Sequence, residues 1–144
     1  MTTNGIIKLK ELIFVPLLIF LAFSACSSLD SNSDYRDHIS IVGQITMPDS
    51  VQIGSNISVS IATWGADGCW HKGRDVVKNN GNLFQITPYD QEYIGPDGCT
   101  AAIVRFVHEL TLSPTIEGVQ KIEVQTRFWG NDSVGTILGE IIVY

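Results

Sequence analysis

The chain has no apolar run long enough to cross a bilayer as a helix. Its longest, residues 12–23, stops at 12 residues and contains Pro16, where a span needs about 20. Positive charge is scarce: 9 Lys and Arg stand against 15 Asp and Glu, for a formal charge of −6, and no basic cluster occurs. Neutralising a phosphate backbone takes clustered Lys and Arg, so nucleic acid is excluded as a partner. No Gly-rich loop joins a strand to a helix, and neither Ser60 nor Ser133 sits in a Gly-x-Ser-x-Gly turn. No cofactor and no serine nucleophile is therefore expected. A sustained 3.6-residue apolar stripe is missing after residue 26, so almost no helix is expected there. Hydrophobic residues make up 44% and charged residues 17% of the 144 positions. That composition excludes a disordered acidic chain and fits one globular domain.

What is present begins with the amino terminus. Lys8 and Lys10 precede the apolar run, and Ser24, Ala25 and Cys26 follow it. A positive segment, a short apolar run and small residues before a cut site describe a secretory signal. The stretch Phe23-Ser24-Ala25-Cys26 resembles the lipobox of bacterial lipoproteins, with Phe23 where that family usually has Leu. The resemblance implies a signal peptide over residues 1–25, cleavage before Cys26 and a lipid on that cysteine. It thus implies a protein of the bacterial cell envelope, anchored to a membrane through Cys26. The outer membrane is preferred where there are two. Removing residues 1–25 deletes Lys8, Lys10 and Glu11 and leaves the remainder one unit more negative. Residues 26–37, rich in Ser, Asn and Asp, read as a flexible tether.

From His38 the pattern turns to period two. Ile57, Val59 and Ile61 alternate with serines, Phe84 and Ile86 with Gln85 and Thr87, and Ile122, Val124 and Thr126 with Glu123 and Gln125. Such alternation means strands with one buried face. Turn residues separate them, Asn80-Gly81 most clearly, since Asn-Gly accepts positive φ at low cost. Seven antiparallel strands are expected, near 38–46, 56–64, 74–78, 83–89, 100–112, 119–128 and 136–144. Residues Pro48, Val51, Gly54, Ile57, Val59 and Ile61 resemble the opening of bacterial immunoglobulin-like and fibronectin-type modules. The resemblance implies an all-β immunoglobulin-like sandwich over residues 38–144. The antibody-type Cys…Trp…Cys pattern is missing.

Cys69 and Cys99 are an even pair once Cys26 carries lipid. An oxidising compartment favours a disulfide between them. If consecutive strands alternate in direction, their two loops also lie at one end of the sandwich. The rivals are free thiols, or a metal site of Cys69, His71 and Cys99 with His38 or His108, which lacks the repeated Cys spacing of structural zinc sites. His108 shares the parity of Val104, Phe106 and Leu110, so it reads as a buried, satisfied histidine in preference to a general base. Glu109 and Glu123 fall on outer strand faces. Two Asp-Ser-Val triplets, at 49–51 and 132–134, resemble a Bacteroidetes O-glycosylation sequon.

The parity argument places Trp64, Trp70, Tyr89, Tyr93, Phe128 and Trp129 around loops at the same end. Trp70, His71, Tyr93 and Trp129 are the expected binding surface, since Trp and Tyr dominate recognition hot spots. Each ring has a competing role as a cap on the core. The first strand should begin at this end too, so the surface starts on the membrane side. The expected function is a non-enzymatic binding module for a protein or glycan. The alternatives are an accessory subunit that docks by a strand edge and, less favoured, a small hydrolase or metal-binding protein.

Overall fold

The computed structural model describes residues 34–144. The signal segment, Cys26 and the tether up to residue 33 lie outside the described residues. The period-two segments become nine strands: β1 (Tyr35–Ile39), β2 (Ile41–Thr46), β3 (Ser50–Val51), β4 (Ile57–Gly65), β5 (Trp70–Asn79), β6 (Leu83–Tyr93), β7 (Val104–Leu112), β8 (Gly118–Arg127) and β9 (Val134–Val143). They form two packed sheets, a β-sandwich. One sheet runs β2-β4-β7. The other holds β3, β9, β8, β6, β5 and β1. There β6 has β5 along one side. Along its other side it pairs first with β8, at residues 83–86, and then with β1, at residues 89–93.

Three expectations are corrected. The strand count is nine, not seven, because the first expected strand divides at Ser40 and Ser50–Val51 forms the short β3. Fully buried, Ser40 donates its N–H to Pro88 O (2.9 Å) and accepts from Arg127 N–H (3.0 Å). Its backbone is thus held between β6 and β8, and the chain passes there from one sheet to the other. Because β1 begins at Tyr35, residues 35–37 are strand where tether was expected. Nor are all pairs antiparallel: β6 runs parallel to β8, and β3 parallel to β9. The β5–β6 hairpin, turned at Gly81 with φ 76°, inserts its second strand inward. Composition explains which strand takes the inner place. In β6, Phe84, Ile86, Pro88 and Asp90 alternate as fully buried positions, whereas β5 carries Lys72, Arg74 and Lys78. Charged side chains suit an edge and protect it from further pairing.

The inner face divides into two zones. The apolar zone joins Ile57, Val59 and Ile61 of β4 and Leu112 of β7 to Phe84, Ile86, Ile122, Val124 and Ile141 of the larger sheet. Each such side chain, fully buried, stabilises the fold by about 1.5–3 kcal/mol. The second zone is polar: Ser40, Thr63, Asp90, His108 and Thr126 are buried there. Its links cross between the sheets, with Val42 N–H donating to Thr126 Oγ1 at 3.0 Å and His108 of β7 meeting Asp90 of β6.

Candidate functional site

Three loops meet at one end of the sandwich: residues 66–69, 94–103 and 128–133. Cys69 and Cys99 form a disulfide with a Cα–Cα distance of 5.2 Å, joining the first two loops. Backbone bonds reinforce the joint, from Gly68 N–H to Thr100 O (2.9 Å) and from Tyr93 N–H to Cys69 O (2.8 Å). Asp67 Oδ1 accepts from Cys69 N–H at 2.9 Å. Asp67, Cys69 and Cys99 offer three ligand-type atoms within 4.8 Å of one another. The disulfide, however, uses both thiolates that a zinc site would need. The first strand also starts here, where Ile94 N–H donates to Asp34 O at 2.7 Å.

Between the first and third loops lies a recess of about 340 Å³, lined by Ile41, Ala66, Trp70 and residues 127–132. Trp70 is only 7% exposed and forms part of its floor. The expectation that Trp70 stands on an open aromatic surface is thereby corrected. Gly65 lets the ring sink, since a Cβ there would lie 2.4 Å from Trp70 Cβ. The Arg127 guanidinium stacks over the indole, 5.1 Å from its centroid. Trp129 is 54% exposed at the rim, beside the exposed Phe128, whose ring rests on Gly135.

Arg127 is held from below. It donates to His38 Nδ1 at 3.4 Å, and His38 Nε2 meets Glu92 Oε2 at 3.0 Å. The imidazole thus bridges the guanidinium and the Glu92 carboxylate. Arg127 Nε is buried without a hydrogen-bond partner, and Asp132 reaches Nη1 only at 3.8 Å from a solvent-exposed position. In the sequence Arg127 follows Glu123 and Gln125 at the alternate positions of β8. Nothing in the strand pattern shows that this position turns over Trp70.

His71 and Tyr93 do not line the recess. They belong to a separate aromatic ladder through Tyr35, with ring centroids 5.4 Å apart at both His71–Tyr35 and Tyr35–Tyr93. Tyr93 Oη donates to Asp97 Oδ2 at 3.2 Å. Partial burial, then this bond and the negative charges of Asp97 and Asp34, raise the Tyr93 pKa above the ordinary tyrosine value of 10.0. The folded state therefore keeps this proton more tightly than the unfolded chain. Its contribution is complete below pH 10 and is lost as alkaline pH passes the raised folded value. Ultraviolet titration should show one tyrosine ionising later than the rest, and Asp97→Asn should move it back toward the others. An unchanged profile in Asp97→Asn would remove Asp97 as a cause.

His108 is 0% exposed and lies between two carboxylates. Nε2 faces Asp90 Oδ1 at 3.1 Å, and Nδ1 approaches Asp75 Oδ1 at 2.8 Å, off the line of the ring N–H. A β-bulge puts Asp75 there. Lys72 pairs with Asp90 and Asp75 with Pro88, so β5 carries one extra residue in this interval. The extra residue reverses parity: Asp75 turns inward to His108, while Arg74 turns out toward Asp37 (3.2 Å) and the Tyr89 ring (5.2 Å). Gly73 permits it, because a Cβ there would stand 2.4 Å from Tyr89 O. His108 lines neither the recess nor the second cavity described below. No protein-family model, curated protein or solved structure matches this chain.

Proposed function

We propose that this chain is a lipid-anchored protein of the bacterial cell envelope that binds a glycan, without catalysis, in the recess between the β4–β5 and β8–β9 loops. The observation that carries this reading is the pairing of exposed rings with neighbouring polar groups. Phe128 and Trp129 are open at the rim, Arg127 lies over the floor, and Asn131 and Asp132 stand beside them. Binding sites combine aromatic walls with a few placed polar groups. Flat rings suit the apolar face of a sugar, and arginine, amide and carboxylate suit its hydroxyls. The disulfide supports the recess by holding the loop that carries Ala66 and leads into Trp70. A loop fixed before binding loses less entropy when the ligand arrives.

The proposed anchor also restricts the ligand's place. Cys26 and Asp34 are eight residue steps apart, a span of at most ~28 Å when extended. Asp34 is at the loop end, so the recess addresses material close to the membrane surface.

The test uses the full chain expressed in bacteria and a panel of immobilised oligosaccharides. Trp129→Ala removes an exposed ring, so stability should stay within about 0.5 kcal/mol of the parent. Affinity for a retained sugar should fall by about 30-fold or more, as for a central aromatic anchor. Fatty-acid labelling of the same cells should vanish in Cys26→Ala. Labelling that survives Cys26→Ala overturns the anchor. A panel from which nothing is retained, or a Trp129→Ala chain that binds equally, overturns the recess.

A further inference from the structure

The β9 strand has an open edge. It pairs with β8 along its whole length, but on its other side β3 covers only Ile142 and Val143. Ile142 and Tyr144 direct their N–H groups to that side, at Asp49 O (3.0 Å) and Val51 O (3.1 Å). Backbone groups alternate sides along a strand. Thr136, Leu138 and Glu140 therefore direct their N–H and C=O away from β8. Among the described residues, no strand pairs with them. The edge also lacks ordinary protection: β9 has no Lys, no Pro and one charge, Glu140. Leu138 is 70% exposed, and Val134 and Ile137 are exposed as well.

We propose that this edge pairs antiparallel with β9 of a second copy of this chain, about a twofold axis through Leu138. The register is self-complementary. Leu138 faces Leu138, and Thr136 faces Glu140, so the single charge meets a hydroxyl instead of its own copy. All three edge-directed residues fall in hydrogen-bonded pairs. On the inner face Ile137 falls opposite Gly139. Beside Gly139 is a groove of about 250 Å³, lined by Gly43, Gln44, Ile45, Met47, Ile122 and residues 137–139. Met47 already packs against Gly139, leaving no room for a Cβ. The Ile137 of each copy thus enters the apolar groove of the other. At residue 142 the protomer's own β3 takes the edge, so the shared pairing ends where the self-complementary stretch ends. Isologous contacts of this kind close as dimers and do not propagate.

Cross-linking in the full chain tests the register. Opposed residues of a hydrogen-bonded antiparallel pair have Cα atoms about 5.5 Å apart, within disulfide range. Most of the Leu138→Cys chain is therefore expected at dimer mass under non-reducing conditions. Thr136→Cys lies about 13 Å from its own copy in this register and should stay at the level of the unsubstituted chain. The Thr136→Cys/Glu140→Cys double variant should link, and it provides a second measurement if Leu138→Cys fails to accumulate. Lys78→Cys, on the far edge of the same sheet, is the collision control. Leu138→Cys and the double variant both at monomer mass, or equal linking at Lys78 or Thr136 alone, would overturn the dimer. So would a product in which Leu138→Cys is joined to a different protein.

Discussion

Asp90→Ala is expected to cost about 3 kcal/mol in stability, the upper part of the range for leaving a buried polar group without its hydrogen-bond partner. Asp90 and His108 are both fully buried, one from each sheet, with Asp75 on the far side of the ring. Carboxylate oxygens only accept, so the hydrogen bond between the sheets is donated by His108 Nε2 to Asp90 Oδ1. Removing Asp90 strands a polar ring inside the sandwich with one off-line partner. Most of the cost is that stranded group, not lost attraction. A second variant separates the two contributions: replacing Asp75, Asp90 and His108 together by apolar side chains of similar volume should cost less than Asp90→Ala alone. Urea unfolding followed by tryptophan fluorescence measures both. An Asp90→Ala loss below about 1 kcal/mol would show that the histidine finds another partner.

The disulfide gives the other large effect. Cys69 and Cys99 close a loop of 30 residues, for which the chain-entropy relation gives about 3–4 kcal/mol. The Cys69→Ser/Cys99→Ser chain should unfold at lower urea by that amount and keep its β-type circular dichroism. Reductant should bring the parent to the same midpoint and leave the double variant unmoved. Trp70 follows Cys69 directly and floors the recess, so the proposed sugar binding should weaken together with stability. A double variant as stable as the parent would mean that the backbone bonds from Gly68 and Tyr93 hold these loops without the bridge.

Strand existence was legible in the sequence because one buried face imposes a period of two on the side chains. The apolar zone of Ile57, Val59, Ile61, Phe84, Ile86, Ile122 and Val124 is that period observed in space. The cysteine pairing was legible as well, from strand direction, which brings both loops to one end, and the burial of His108 followed from its parity. The two parallel pairs were not, because alternation fixes which side chains point inward and says nothing about which neighbour a strand chooses. That choice fell to β6 over β5 through the charges on β5, a comparison between strands and not a property of either. Asp75 was hidden by the bulge at Gly73, where one extra residue reverses every later parity on β5. Trp70 at the start of β5 and Trp129 in the β8–β9 loop carry the same ring, and only tertiary packing buried one and exposed the other. Gly65 made space beneath Trp70, and Arg127 covered it, while Trp129 has no such neighbour among the described contacts. The sequence by itself thus determined local periodicity and, through it, the all-β class, because a buried strand face is written in the spacing along one chain. The open edge of β9, the polar centre and the recess were decided by which residues, distant in sequence, came to share a surface.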